Sequence, residues 1–464
     1  MTVHEFGKIV IGAGMAGLCC AGELTRLGER PLLISETKEV GAMYRVQKVG
    51  EKSRAFQQHL TWQPAWGGGW WYPLVRGLGV PLRLFNGFRF AAKLEGDGNP
   101  IVNIPMCASG SAVIDFLTGE FGMTIDDESG PILERCLDAG LNIPHNELVN
   151  MNDVSLVSWL EEQGANDMVM RLFLTFGGSP NGMSIDDSKK FLSVYGGLAS
   201  LRAMLAGEAF FPMPYPNIRE GVCIPIANEV ERRGGEVWRG QKVRRVLIED
   251  GRVVGVEMQN GNKALAPVVA IATGNGRIPA LLETIPEEIQ AALSISASAA
   301  EPELAVFALL NKPIVEAERD RECIGVINPE TGYCHWVVPL HGIAPWLVEP
   351  GKQMVASWLR QSADQPLDDD EAALETAIDL ADGVLPGYRE AIEVVAANRR
   401  PQDFTAPLLT GPKLPRTIPS VQGLWFVGDG SVPIGGIWSE GAASCGILGA
   451  RQIVGSSTRT STIS

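Results

Sequence analysis

The stretch that most constrains this chain lies near its amino terminus. Lys8–Ile11 is a short apolar run of the kind buried in a parallel sheet, and Gly12-Ala13-Gly14-Met15-Ala16-Gly17 follows it directly. Leu18–Leu27 is rich in helix formers, and Gly28 is placed to close that helix. Pro31–Ser35 reads as a second strand ending at Glu36. Strand, glycine turn, helix and strand therefore occupy about 30 residues, the length a βαβ unit needs. Gly12 permits the turn, Gly14 lets backbone N–H groups approach a pyrophosphate, and Gly17 lets the helix lie close to the strand. Met15 and Ala16 complete the motif as candidate cofactor-binding residues, and the helix N-terminus that follows offers unpaired N–H groups and a partial positive charge to a phosphate. Glu36 lies 36 − 12 = 24 residues past the first glycine, close to the spacing of about 20 at which an acid meets a ribose. A carboxylate there accepts from ribose hydroxyls and repels a 2′-phosphate. The expectation is a dinucleotide site.

Composition narrows what surrounds that unit. The 464 residues are 45% hydrophobic and 20% charged, so the chain can bury a large core and is not disordered as a whole. The net charge is −15, with no local block of Lys and Arg, which argues against a nucleic-acid partner. The eight cysteines include no Cys-x-x-Cys pair, and the five histidines form no close group with them, so no metal site is expected. No apolar h-region precedes Lys8 and no uninterrupted apolar run reaches 18 residues, which predicts a cytoplasmic protein without a membrane span. Membrane contact is conceivable for an apolar substrate, but no basic amphipathic helix supports it. The oligomeric state is not readable from the sequence.

Further along, residues 62–71 (WQPAWGGGWW) hold four of the eleven tryptophans around three consecutive glycines. That pattern suggests a close backbone approach or a mobile loop. Residues 82–96 read as a hairpin or short strands, 109–205 as mostly helical, and Ile224–Arg233 as a helix ending at Gly234-Gly235. Glu236–Glu257 alternates apolar and polar residues about a turn at Asp250-Gly251. Val268–Ala272 is a strand ending in Thr273-Gly274. Residues 301–360 hold strand-like runs, including His335–Leu340 and Gln353–Trp358, and Asp368–Asp382 reads as a helix. Pro-rich 401–419 is an extended connector. Leu424–Val427 is a final strand leading to Gly428-Asp429-Gly430. Residues 436–454 are a small-residue helix, and the polar tail 456–464 is expected to fray.

Taken together, the two ends resemble those of the FAD-dependent amine oxidases and phytoene desaturases. The residues that carry the resemblance are GAGMAG with Glu36, and GLWFVGDGSVPIGGIWSEGAASCGILGA. The resemblance implies an α/β fold: a Rossmann-like, GR2-type FAD-binding domain with a discontinuous α+β substrate domain. It divides the chain into 1–85, 215–280 and 420–464 for FAD, and 86–214 and 281–419 for substrate. It places Gly428 and Asp429 at the ribityl and pyrophosphate region, and Gly436 and Ile437 where the last helix covers the flavin. Gly221–Glu257 resembles the family's helix, Gly-Gly and hairpin segment, which would bring the Val243 backbone to the adenine. Asn152–Glu161 resembles the start of its helical substrate region. Trp438 stands just before Glu440-Gly441-Ala442, the place of an aromatic residue over the reactive flavin face. The chain departs from the family after Glu36. Where Gly-Gly-Arg or Gly-Gly-Lys is usual, it reads Val40-Gly41-Ala42-Met43-Tyr44-Arg45. Either Arg45 reaches the pyrophosphate by another route or that charge contact is lost. No cysteine lies between 391 and 428, where some amine oxidases attach flavin, so noncovalent FAD is expected.

No triad or paired-carboxylate motif emerges. Tyr333, His335 and His341 lie in the segment that the family folds over the substrate, and Tyr333 and His335 join Trp438 as candidates for contact with the reacting centre. A missing base motif does not argue against an oxidoreductase, because hydride transfer to flavin is chemistry the cofactor carries. The leading expectation is a dehydrogenase or desaturase that passes a hydride from a C–H of a small apolar, isoprenoid-like substrate to flavin N5. Oxygen, a quinone or another acceptor would reoxidise the flavin. The alternatives are an amine oxidase, a redox-neutral double-bond isomerase, and a non-enzyme of the same fold that binds prenylated partners or pairs with an active subunit.

Overall fold

In the computed structural model of the chain, the described residues are 2–56, 63–64, 69–85, 89–96, 98–181, 183–205, 209–210, 213–299, 301–328, 330–360, 369–402, 409–431 and 436–460. Three distant stretches of sequence build one parallel layer. Its strand order is Glu236–Trp238, Leu32–Ile34, Ile9–Ile11, Val269–Ile271 and Val421–Phe426. The two strands flanking the glycine turn pair in register, Ile9 with Leu32 and Ile11 with Ile34. Their side chains are fully or almost fully buried, as expected of strands covered on both faces. Val243–Glu249 and Arg252–Met258 form the expected hairpin, with Asp250 (φ +48°) and Gly251 (φ +70°) at its turn.

Two helices cover the face above the glycine turn. Met15–Arg26 and the C-terminal helix Trp438–Thr460 approach so closely that a Cβ on Gly446 would overlap the Ala16 carbonyl oxygen. That closeness explains the small residues read at 436–454. The C-terminal helix runs to Thr460, and the last four residues of the tail expected to fray, 461–464, lie outside the described residues.

A second sheet has the order Ile392–Gln402, Glu301–Leu310, Gln353–Arg360, Cys334–Pro339, Glu322–Ile327, Arg89–Leu94 and Val102–Asn103. One of its faces packs against the helical stretch 110–205, and the other against Asp370–Asp382 and Tyr388–Ala391. Among the described residues, 82–96 supply short strands, and Arg89–Leu94 pairs antiparallel with Val102–Asn103 just beyond them. Leu84–Phe85 pairs with Met213–Pro214, while Arg89–Leu94 runs parallel to Glu322–Ile327.

All eight cysteines are buried and free. Burial pushes the Cys20 and Cys223 thiols from 9.0 up to about 12. The unfolded chain releases these protons from about pH 9, while the native state keeps them to about pH 12. The native state therefore binds more protons across that window. Its stability is expected to fall with rising pH there, by up to about 1.4 kcal/mol per pH unit for each thiol. Denaturant midpoints measured across the window check this. Cys20→Ala should flatten the slope by one such increment, and an unchanged slope would refute the assignment.

Candidate functional site

The glycine turn sits beside the two other strand ends that matter. Gly12 has φ +104°, its N–H donates to the Ile34 carbonyl at 2.9 Å, and a Cβ on it would lie 2.9 Å from the Ala272 carbonyl oxygen. A Cβ on Gly428 would lie 2.9 Å from the Thr273 carbonyl oxygen. Turns after Ile9–Ile11, Val269–Ile271 and Val421–Phe426 thus meet at Ala272-Thr273. The Ile9–Ile11 strand is where the order reverses, with its sequence successors on both sides, and such a crevice outside the carboxyl ends is where open α/β sheets bind ligands.

The residues present fit a dinucleotide. Met15 begins a twelve-residue helix whose N-cap, Gly14, offers no side chain. The Thr273 hydroxyl, between the turns, is buried and has no hydrogen-bond partner among the described residues. A buried polar group of this kind calls for a partner. Asp429 is half-buried in the turn. Glu36 is half-exposed and faces two cations, Lys242 Nζ at 3.1 Å and Arg277 at 3.6 Å. Those cations hold the carboxylate at the strand end and leave half of it open to solvent. Val243, next to Lys242, is buried at the start of its hairpin.

The segment after Gly41 takes its own course. Gly41 donates to the Ala13 carbonyl at 2.8 Å, tying the segment to the glycine turn. Ala42, where the resemblance leads one to expect a second glycine, sits at φ +44°, a conformation that residues other than Gly seldom adopt. Its methyl group would meet a Cβ on Gly14 at 3.4 Å. Arg45 is exposed.

The start of the C-terminal helix is the second half of the site, and four contacts from four separate elements clamp it. Gly436 N–H donates to the Tyr195 hydroxyl at 2.6 Å. Trp438 Nε1 donates to Asn181 Oδ1 at 2.9 Å. The Tyr44 hydroxyl donates to Ser439 Oγ at 3.1 Å. Glu440 Oε2 accepts from Trp70 N–H at 2.6 Å. Trp438 itself is half-buried at φ +53°, and Ile437 is fully buried. A tryptophan at positive φ persists only where its surroundings over-determine it. Asn181 does that here: its amide nitrogen donates to Gly177 O at 2.9 Å and Ser200 Oγ at 2.8 Å, leaving its carbonyl aimed at the indole.

Sequence reasoning missed Asn181, Tyr195 and Tyr44. The Ser179-Pro180-Asn181-Gly182 break in the helical stretch was the one local signal. Asn181→Leu is expected to remove the acceptor of the indole N–H and the amide donor to Gly177 O and Ser200 Oγ, costing about 1–3 kcal/mol. Tyr195→Phe should orphan the Gly436 N–H at a similar cost. Thermal unfolding of each variant measures this, and a loss under about 0.5 kcal/mol in both would mean the clamp is not a determinant.

The structure does not bring His335 to Trp438. His335 faces Val326 across the ladder, and Val326 and Val337 pack toward Asp370–Asp382 and Tyr388. Cys334, Trp336 and Val338 point the other way, into the apolar cluster that includes Ile437 and Trp438. The period of two puts His335 on the far face of its sheet. Tyr333 is also buried and stacks on His335, with ring centroids 6.5 Å apart. His341 binds the Met354 carbonyl at 3.1 Å. Of the tryptophan-rich run, Trp71 is fully buried behind the glycine turn, and Trp66 falls outside the described residues. Gly69 supplies the close approach that run suggested: a Cβ there would lie 2.5 Å from Glu440 Oε2. Among the described residues no helix is long and apolar enough to cross a membrane.

No family model and no curated protein matches the sequence. Solved structures do match in fold. An oxidoreductase from Methanosarcina mazei aligns at TM-score 0.71 and 17% identity, over 96% of this chain and 100% of the other. Putrescine oxidase bound to putrescine aligns at 0.62 and 14%, over 98% and 100%. A Rab GDI from Plasmodium falciparum aligns at 0.53 and 12%, over 91% and 93%. The chain thus has the α/β fold of the oxidoreductases and amine oxidases that its two ends resemble.

Proposed function

We propose that this protein is an FAD-dependent oxidoreductase that takes a hydride from a C–H of an apolar substrate. The observation that carries the reading is the meeting of three glycine-bearing strand ends around the buried Thr273 hydroxyl, which has no hydrogen-bond partner among the described residues. FAD, held noncovalently, would lie with its pyrophosphate at Gly12–Gly17 and its ribityl region at Gly428-Asp429. On this reading 1–85, 215–280 and 420–464 hold the cofactor, and the remainder shapes the substrate side. When bound, the flavin supplies the two-electron acceptor.

The chain's own contribution is binding, orientation and exclusion of water. Helix N–H groups at Met15 and Ala16 would donate hydrogen bonds to the phosphates. The clamp of Asn181, Tyr195, Tyr44 and Glu440 fixes Ile437 and Trp438 in one pose. A fixed indole narrows the space over the reacting centre and holds a carbon skeleton against it. The apolar class of substrate is supported by the large apolar cluster that includes Ile437 and against which Trp438 packs. Amine oxidation is the second reading, favoured by the fold shared with putrescine oxidase.

The test is the visible spectrum of the purified protein, followed by identification of any chromophore released on denaturation. Oxidised-flavin bands and free FAD support the reading. Anaerobic bleaching by apolar alkenes or terpenoids supports the first substrate class, and bleaching by amines with ammonia release supports the second. A colourless protein that takes up no added FAD overturns the oxidoreductase reading in favour of a binding protein of the kind that Rab GDI exemplifies.

A further inference from the structure

We infer that Arg219 replaces the basic residue missing after Gly41, as the side-chain cation for the dinucleotide pyrophosphate. The inference rests on the FAD reading above and names a residue that no sequence motif indicates. Its basis is the way two helices pack. Met15–Arg26 and Ile224–Arg232 run side by side in parallel: Ile226 Cγ2 lies 3.1 Å from the Cβ position of Gly22, and one turn earlier on each, Cys223 and Cys19 share one buried cluster. Stepping back one further turn on each brings Arg219 level with Met15, the first residue of the phosphate-facing helix. The turn that carries Arg219 is a π-helical stretch, Arg219–Cys223, a distortion common at functional sites.

Local contacts agree with this placement. Arg219 Cγ lies 3.3 Å from the Cβ position of Gly41, and Gly41 N–H is bonded to Ala13 within the glycine turn. The guanidinium side chain is only 12% exposed. One terminal nitrogen pairs with Glu39 at 2.6 Å, and Glu39 is largely exposed. Arg219 Nε is buried and has no partner among the described residues. A planar guanidinium with an unused buried donor is suited to phosphate oxygens. Arg45, by contrast, is exposed, and Met43 stands exposed between it and Ala42. The charge lost from one loop is thus offered by a helix almost 180 residues further along the chain.

The experiment is titration of the flavin-free full chain with FAD, followed by flavin fluorescence, at two salt concentrations. Arg219→Ala should weaken FAD binding about ten- to hundredfold and reduce its salt dependence. Arg219→Lys should recover part of the affinity, and Arg45→Ala should bind as wild type. ADP, which carries the pyrophosphate without the flavin, should lose affinity in Arg219→Ala by a similar factor. Glu39→Ala separates the charge from its ion pair: it should bind FAD at least as tightly as wild type. Unchanged FAD affinity in Arg219→Ala overturns the inference, as does an equal loss in Glu39→Ala, which would assign the effect to loop packing. If Arg219→Ala does not fold, Arg219→Lys and Glu39→Ala carry the same decision. A wild-type protein that binds neither FAD nor ADP overturns the function reading itself, and this inference with it.

Discussion

Gly17→Ala is expected to destabilise the protein by about 3 kcal/mol and to abolish FAD uptake. Its Cβ would overlap the Gly12 carbonyl oxygen, lie 2.9 Å from the Gly12 carbonyl carbon, and crowd Ala272 Cβ at 3.2 Å. Two of those three atoms are backbone, so no rotamer change relieves the overlap. Helix and strand would have to part, and the Met15–Arg26 helix is held on its other side by the C-terminal helix at Gly446. Gly14→Ala makes the control. Its Cβ would meet only Ala42 Cβ, at an ordinary 3.4 Å, so the variant should keep its melting temperature. It should nevertheless bind FAD at least tenfold more weakly, because a methyl group then stands where the backbone approaches the pyrophosphate. Melting curves and FAD titration together check the pair. Equal behaviour of the two variants in both measurements would remove the separate tasks assigned to the two glycines.

Glu440→Ala is expected to cost about 3 kcal/mol and to loosen the Trp70-Trp71 segment from the C-terminal helix. Glu440 is completely buried, and its carboxylate receives the Trp70 N–H. Truncation leaves that N–H unsatisfied and opens a void beside Gly69, which has φ +59° and faces both carboxylate oxygens. Glu440→Gln keeps the shape and an acceptor, so it should recover most of the loss. Gly69→Ala approaches from the other side: it pushes a methyl group against the carboxylate and strains the backbone, and should destabilise comparably. Chemical unfolding of the three variants, with protease susceptibility near Trp70, is the measurement. A Glu440→Ala protein as stable as wild type would show that the contact contributes nothing.

These predictions separate what is local from what is not. The sequence by itself determined the strand, glycine turn, helix and acid of residues 8–36, the hairpin about Asp250-Gly251, and the final strand, turn and helix. Each follows from periodicity, turn chemistry or capping within a window of about 20 residues. The clamp on Trp438 was not legible. Asn181 and Tyr195 are 257 and 241 residues away from the groups they bind, and Trp70 is 370 from Glu440. The three-glycine run signalled a close approach without naming Glu440 as its partner. Parity along a strand was equally silent for His335: alternation separates it from Trp336, but only the packing of the second sheet decides which of the two faces Trp438. The displaced cation is the same kind of case. Local spacing points to Arg45, and the parallel packing of two helices points to Arg219. Backbone hydrogen bonding and hydrophobic alternation are encoded by neighbours in the chain, whereas the choice of polar partner in a buried site is made by whichever surfaces the completed fold presses together.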